Sequence, residues 1–174
     1  IDIGTNAIRL FISNVEEYPT ETLFKKIAFL RVPIRLGEDV FTTGEIGQQK
    51  RKRLCETMQG FSYIMSAFNV ESYKAYATCA MREARNGKSV AEQIQKECDL
   101  NIEIISGTKE AETIFAGGMN EVVDDDKTYL YVDVGGGSTE VIVYSKSVKI
   151  EACSFPLGTV RMLNGAVDKE EMNH

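Results

Sequence analysis

Apolar and polar positions alternate along the chain in blocks that predict strands first and helices later. Two apolar runs over residues 1–15 predict a strand, a turn and a second strand, and residues 22–33 predict one or two more at an antiparallel edge. A long helix is predicted over residues 48–68, because apolar side chains recur there at spacings of four and three residues. The members of this apolar stripe are Leu54, Met58, Phe61, Met65 and Phe68.

The middle of the chain predicts further strands and helices in turn. The predicted elements are a loop at residues 34–38, a strand at 70–78, a helical turn at 79–85, a helix at 89–98, a strand at 102–106 and a helix at 108–119. Ser89, followed three residues later by Glu92, predicts a capping box at the start of the helix at 89–98. This alternation favours a mixed α/β sheet with helices on its faces.

The stretch from Tyr129 to Tyr144 combines two apolar strands with a glycine-rich turn. The turn begins after Asp133 and Val134 with three glycines, Gly135, Gly136 and Gly137. It ends with Ser138, Thr139 and Glu140. Glycines let backbone N–H groups approach an anion closely, and carboxylate oxygens beside phosphate suit a hard divalent cation. A hairpin turn with two solvated acids explains the same pattern, so this stretch alone leaves both interpretations open.

The N-terminus repeats this order of apolar strand, aspartate, glycine turn and second apolar strand. Asp2 ends an apolar strand, Gly4 and Thr5 follow it, and a second apolar strand begins near Ile8. Two such units predict an internal duplication whose loops face each other across a cleft and bind phosphates from both sides. An acidic linker at residues 124–126 places the expected domain boundary there, with one domain over residues 1–124 and the start of a second over 125–174.

Composition narrows the classes of function. The 174 residues are 43% hydrophobic and carry a net charge of −6, which indicates a globular protein and argues against a general nucleic-acid binder. A polyanionic substrate would therefore need a local cluster of donors or a metal ion. The sole histidine is His174, so acid–base catalysis is expected from another residue type, such as a carboxylate.

The cysteines and the hydropathy predict a cytoplasmic location. Four cysteines lack CxxC spacing and lie in apolar or helical contexts, so we expect reduced and mostly buried thiols: Cys55, Cys79, Cys98 and Cys153. No apolar run reaches the length of a membrane span and no signal-like start is present, so no membrane association is expected.

Five motifs together resemble the exopolyphosphatase and guanosine-pentaphosphate phosphatase (Ppx/GppA) family, within the superfamily of sugar kinases, actin and heat-shock chaperones. They occur in the family's order and span nearly the whole chain. The motifs are DIGTNAIRL at residues 2–10, ATCAMREARNG at 77–87, IISGTKEA at 104–111, VDVGGGSTE at 132–140 and PLGTVR at 156–161. The resemblance implies a ribonuclease-H-like (actin-like ATPase) domain with a mixed five-stranded sheet and flanking helices, followed by the start of a second similar domain.

The resemblance also implies catalytic roles for two residues. Glu110 matches the glutamate that activates the attacking water, although an acid that complements the helix dipole explains its position as well. Arg82 matches an arginine near the cleft; a salt bridge with Glu83 or a helix-end role is the alternative. Lys109 departs from the family, which commonly has an acidic residue at this position.

The remaining implied residues bind metal and phosphate. Asp133 and Glu140 are expected to hold Mg²⁺, or another divalent cation such as Ca²⁺ or Mn²⁺, directly or through waters. The terminal phosphate is expected at Gly135, Gly136, Gly137, Ser138 and Thr139, and the adjacent phosphate at Gly4, Thr5 and Asn6. Arg9 is instead expected to be a strand residue with a structural partner.

The predicted reaction is hydrolysis of a terminal phosphoanhydride. The expected substrates are inorganic polyphosphate and guanosine penta- or tetraphosphate, with no nucleic-acid partner. An ATP-dependent kinase or ATPase of the same superfamily, and a non-catalytic polyphosphate or alarmone sensor, remain alternatives, and homodimer formation stays open. The chain begins within a strand pattern and ends within a polar helical pattern, so it is expected to be part of a longer protein.

Overall fold

The structure is a computed structural model that describes residues 1–19, 22–116, 127–145 and 148–167. Its strands form two sheets, one of five strands and one of three. The predicted boundary between residues 124 and 125 lies outside the described residues. No helix in the described ranges combines the length and the apolar character that crossing a membrane requires.

The larger sheet is mixed, as predicted. Its strands are β1 (Asp2–Ile3), β2 (Ile8–Glu17), β3 (Thr22–Val32), β4 (Tyr76–Ala77) and β5 (Glu103–Ile104), in the order β3-β2-β1-β4-β5. The three N-terminal strands are antiparallel, whereas β1, β4 and β5 run parallel to one another. The predicted strands at residues 70–78 and 102–106 are therefore wrong in length, because only two residues of each pair with a neighbouring strand.

Four helices flank this sheet: α1 (Leu36–Thr43), α2 (Gln48–Ala67), α3 (Cys79–Glu83) and α4 (Gly87–Cys98). The predicted stripe of α2 enters the core, where Leu54 and Met58 are fully buried beside Ile3 and Leu10. Phe68 is the exception, because it follows the last residue of α2 and is half exposed.

The interpretation of residues 34–38 as a loop is wrong from Leu36 onward, where α1 begins. Leu36 and Val40 are one helical turn apart and are both buried, so the segment gains core contacts as a helix. The amide of Gly37 donates to the carbonyl of Thr5 at 3.0 Å. The start of α1 is thereby fixed to the first predicted phosphate loop.

The capping box predicted at Ser89 is also wrong, because α4 begins at Gly87 with Asn86 as the preceding residue. The Asn86 side chain does not cap the helix; it accepts from the amide of Ile46 at 3.0 Å and donates to its carbonyl at 2.9 Å. A Cβ at Gly87 would collide with the carbonyl oxygen of Met81. The sharp turn between α3 and α4 therefore requires glycine and sets the helix start.

The second sheet is antiparallel and consists of β6 (Thr128–Val134), β7 (Thr139–Ser145) and β8 (Val148–Phe155) in that order. Helix α5 (Gly107–Ala116) packs on this sheet, where Ala111 is buried with Ile142 and Tyr144. Helix α6 (Thr159–Leu163) follows β8 and lies near α1. Of the cysteines, Cys55, Cys79 and Cys98 are buried and unpaired, whereas Cys153 is exposed.

Candidate active site

The two glycine loops lie against each other, as the repeated strand-Asp-Gly plan predicts. A Cβ at Gly137 would come within 2.7 Å of Thr5 Oγ1 and 2.4 Å of Cys79 Sγ. A Cβ at Gly136 would come within 3.2 Å of the Thr5 side chain. Glycine at these positions is what allows the loops to approach so closely.

In the glycine loop at residues 135–137, all three carbonyls point toward the start of α6. The acceptor oxygens are those of Gly135 (from Thr159 N, 3.0 Å), Gly136 (from Val160 N, 2.8 Å, and Arg161 N, 3.0 Å) and Gly137 (from Arg161 Nε, 2.8 Å). In a planar trans peptide the N–H points opposite to the carbonyl. The following amides, of Gly136, Gly137 and Ser138, therefore point away from α6.

Those three amides are the donors that the loop offers to an anion. None of them donates a hydrogen bond within the ranges that the structure describes. Ser138 also lines a cavity of about 330 Å³ together with Arg82, Gly107 and Ser154. Convergent backbone amides beside an arginine form a concave surface that suits a phosphate group.

Glu110 lies in the first turn of α5, where Ser106 fixes the start of the helix. The Ser106 hydroxyl accepts from the amide of Lys109 at 3.1 Å, and its carbonyl accepts from the amide of Glu110 at 2.9 Å. Burial, followed by the nearby charge of Glu140, raises the pKa of Glu110 to about 7, outweighing the opposite effect of Arg82. A carboxylate with a pKa near neutrality is suited to accept a proton from water.

Arg82 connects this carboxylate to the cavity. Its Nη1 donates to the carbonyl of Ile105 at 2.8 Å and lies 3.5 Å from Glu110 Oε2, a loose contact for an ion pair. The alternative interpretation, a salt bridge with Glu83, is wrong, because Glu83 pairs with Arg161 instead. Arg82 is therefore held beside the predicted base and has unused donors for an anion.

Asp133 and Glu140 are direct partners across the β6–β7 ladder and so project to the same face of the sheet. Glu140 is buried, and its Oε1 accepts from the Ser154 hydroxyl at 2.8 Å. Among the described residues, no three histidine, cysteine or carboxylate groups form a metal cluster. Two carboxylates nevertheless fit magnesium, which uses one or two of them together with waters and phosphate oxygens.

Asp2 is a carboxylate near Glu110 that the sequence analysis did not assign to the site. Its negative charge contributes to the raised pKa of Glu110, and its Oδ2 accepts from Arg9 Nη1 at 2.7 Å. The expectation that Arg9 has a structural partner is confirmed by this ion pair. The position of Asp2, just before the first glycine loop, was the available sequence signal.

Two predicted phosphate-binding residues have structural contacts of their own. The Thr139 hydroxyl donates to the carbonyl of Leu157 at 2.6 Å, and the Asn6 carbonyl accepts from the amide of Arg35 at 2.9 Å. Their predicted roles at phosphate remain predictions. A larger groove of about 1400 Å³ lies between α2 and α4, and its lining contains none of the predicted site residues.

Sequence reasoning also missed Ser154 and Arg161 as parts of the site. Ser154 orients Glu140 from the neighbouring strand, and Arg161 holds the carbonyl of Gly137 from α6. Arg161 belongs to the PLGTVR motif, which was a signal for it. Ser154 has no comparable local pattern, because its importance comes from the pairing of β7 with β8.

Comparison with known proteins identifies the family that the chain resembles. The model of the Ppx/GppA phosphatase family matches residues 14–174. A bifunctional 3-dehydroquinate synthase/phosphatase of Fusobacterium nucleatum is 31% identical over 166 residues, covering 93% of this chain and 25% of that protein. Exopolyphosphatase 1 of Mycobacterium bovis is 27% identical over 167 residues, covering 93% of this chain and 46% of the relative.

Solved structures resemble the fold of this chain over nearly its whole length. An exopolyphosphatase from Cytophaga hutchinsonii superposes with a TM-score of 0.85 at 29% identity, covering 94% of this chain and 51% of that one. A Ppx/GppA family member from Aquifex aeolicus gives a TM-score of 0.79 at 25% identity, covering 99% of this chain and 56% of that one. The chain thus spans about half the length of these exopolyphosphatase and Ppx/GppA relatives. With a family match that covers most of its residues, the chain belongs to the Ppx/GppA phosphatase family.

Proposed function

We propose that this chain carries the hydrolytic site of a phosphoanhydride hydrolase that releases terminal phosphate from inorganic polyphosphate, guanosine pentaphosphate or both. The observation that carries the proposal is the carboxylate of Glu110, whose pKa is raised to about 7 and which contacts Arg82 beside the phosphate loop. Relatives named exopolyphosphatase support the substrate class.

In this proposal the two glycine loops hold the end of the substrate. The amides of Gly136, Gly137 and Ser138 receive the terminal phosphate, and Gly4, Thr5 and Asn6 hold the adjacent one. Arg82 contributes charge at the phosphate oxygens through the donors that Ile105 and Glu110 leave unused. Preorganised donors of this kind stabilise the charge that develops on a transferred phosphoryl group.

Glu110 is the general base. It accepts a proton from a water molecule, whose oxygen forms the new bond to the terminal phosphorus while the bridging P–O bond breaks. The shortened chain leaves with the electron pair of that bond, and inorganic phosphate is released. Asp133 and Glu140 would hold magnesium, which would neutralise charge on the phosphate oxygens.

The same proposal assigns the two halves of the chain to two domains, residues 1–124 and 125–174, which contribute one glycine loop each. The two separate sheets support this division, because β1–β5 lie within the first range and β6–β8 within the second. A cytoplasmic location is part of the proposal and is supported by the four unpaired cysteines.

The test is release of phosphate by the whole protein from polyphosphate, guanosine pentaphosphate and ATP in the presence of magnesium. The proposal expects turnover of at least one of the first two and little release from ATP. Preferential release from ATP would indicate a kinase or ATPase instead. Tight binding of polyphosphate without phosphate release would indicate a sensor.

A further inference from the structure

Arg161 joins the phosphate loop to the opposite half of the molecule. It lies in α6, only 8% of it is exposed, and its Nε donates to the carbonyl of Gly137 at 2.8 Å. Its Nη2 pairs with the carboxylate of Glu83 in α3 and donates to Cys79 Sγ at 3.3 Å. Its guanidinium carbon lies 4.3 Å from the ring centre of Phe41 in α1.

These contacts use the specific shape of an arginine side chain. A guanidinium presents several N–H groups in one plane, so one side chain can hold a backbone carbonyl and a carboxylate at the same time while an aromatic ring covers its face. An ammonium group on a lysine has a single nitrogen and cannot span both partners in this way. The position therefore has requirements beyond positive charge.

The carbonyl that Arg161 holds determines the direction of the next amide. Because the peptide is planar and trans, fixing the Gly137 carbonyl toward α6 fixes the Ser138 N–H in the opposite direction. Thr159 and Val160 hold the two preceding carbonyls with backbone amides, whereas the third is held by a side chain. The last amide of the loop is thus the one whose orientation depends on the identity of a residue.

We propose that Arg161 is a positioning residue that orients the phosphate loop and ties it to the general base. Helix α3, which has five residues, connects Arg161 to Glu110. Its Glu83 binds Arg161, and the preceding residue, Arg82, contacts Glu110. The proposal rests on the proposed function, since it assigns the loop and Glu110 their roles there. In this assignment Arg161 acts through Gly137 and Glu83, without a contact of its own to the substrate or the attacking water.

The buried thiol beside this network stays protonated. Cys79 Sγ lies 3.3 Å from Glu83 Oε1, to which it donates, and burial together with the charge of Glu83 raises the pKa of the thiol to about 11. Cys79 therefore adds no charge at neutral pH. The charges that hold the loop across the cleft are those of Arg161 and Glu83.

The experiment compares Arg161→Lys and Glu83→Gln with Arg85→Lys in the whole protein. Arg85 is a matched control, because it forms an ion pair with Glu45 at the surface and does not contact the loop. Four quantities are measured: KM and kcat for polyphosphate, the melting temperature, and hydrogen exchange of the Thr159 and Val160 amides, which donate to the loop carbonyls of Gly135 and Gly136. Hydrogen exchange requires no turnover, so it tests the positioning role even if polyphosphate proves not to be the substrate.

For Arg161→Lys we expect KM to rise about tenfold, kcat to fall by less, and exchange of the Thr159 and Val160 amides to accelerate by about the same factor as KM. Glu83→Gln leaves the hydrogen bond from Arg161 to Gly137 in place, so KM and the exchange rate should rise by only about two- to threefold. It also serves if Arg161→Lys does not fold. The control should match the wild type in KM and exchange.

Wild-type KM together with wild-type exchange of the Thr159 and Val160 amides in both variants would overturn the proposal. So would a lowered melting temperature in both variants with KM and exchange unchanged, because that result would make Arg161 a purely structural link between the two halves. Normal KM in Arg161→Lys combined with raised KM in the control would also contradict it.

Discussion

Asp133 and Glu140 lie directly opposite each other across the β6–β7 ladder, and both project to the side of the sheet on which α5 packs. Glu110 lies on α5, and its pKa is raised in part by the charge of Glu140. The proposed base and the proposed metal ligands therefore meet at one interface between a helix and a sheet.

Replacing Asp133 or Glu140, the proposed ligands, should weaken magnesium binding. For Asp133→Asn and Glu140→Gln we expect the magnesium concentration that gives half-maximal turnover to rise about tenfold or more, because each variant removes a charged oxygen ligand. Glu151→Gln is the control, since Glu151 is exposed on β8. Direct calorimetric titration of magnesium provides a second readout, and unchanged titrations in both variants would contradict the assignment.

Glu110→Gln should abolish most turnover while leaving substrate binding intact. The amide keeps the size and the hydrogen bonding of the side chain but cannot accept the proton, and loss of a general base costs about 10²–10⁴-fold in rate. Glu112→Gln is the matched control, an exposed acid on the same helix. Loss of polyphosphate binding together with turnover would instead assign Glu110 a structural or metal-holding role.

The pH dependence of the rate should reflect the pKa of Glu110, which is about 7. The base must be deprotonated to act, so kcat/KM should increase as the pH rises through this value and then level off. A profile of kcat/KM between pH 5 and 9 measures this. A flat profile through neutrality would argue against Glu110 as the base.

Stability should change with pH in the opposite sense. The folded-state pKa of Glu110 lies above its ordinary value of 4.5, so the folded protein binds this proton more tightly than the unfolded chain. The contribution of Glu110 to the free energy of unfolding is thus fully present below about pH 4.5 and is lost as the pH rises through about 7. Urea unfolding at pH 5 and pH 8 should show a smaller difference in Glu110→Gln than in the wild type.

Gly137→Ala should destabilise the protein and disturb the phosphate loop. The added methyl group would lie 2.4 Å from Cys79 Sγ and 2.7 Å from Thr5 Oγ1, so the two loops must separate, at a cost of about 1–3 kcal/mol in the free energy of unfolding. Gly60→Ala is the matched control, because no atom lies within 4 Å of its Cβ position in α2. That change should stabilise the protein by about 0.5–1 kcal/mol, and equal unfolding free energies for the two variants would contradict the prediction.

The sequence predicted the parts of the fold that follow from periodicity and repetition. The apolar stripe of α2 enters the core from Leu54 to Met65, and the repeated plan around Asp2 and Asp133 correctly brings the two glycine loops together. Strands β4 and β5 could not be delimited, because their two-residue length is set by the neighbouring strands and not by their own pattern.

The electrostatic part of the site was less accessible to sequence reasoning. The pairing of Arg161 with Glu83 joins residues 78 positions apart, and the hydrogen bond from Ser154 to Glu140 depends on the register of two strands. Neither contact leaves a local periodicity. The partner of Arg82 was equally hidden, because α3 presents Arg82 and Glu83 to different neighbours.

Burial is the largest cause of the raised pKa of Glu110, so the strength of this base depends on how dry its surroundings are. If bulk water filled the cleft, the carboxylate would return toward the basicity of an ordinary glutamate and would activate water poorly. In the proposed reaction, a substrate that filled the cleft and displaced the water would make the same carboxylate a stronger base. The proposed site would thereby have an intrinsic safeguard, since its capacity to activate water would be greatest when a phosphate chain had displaced the solvent.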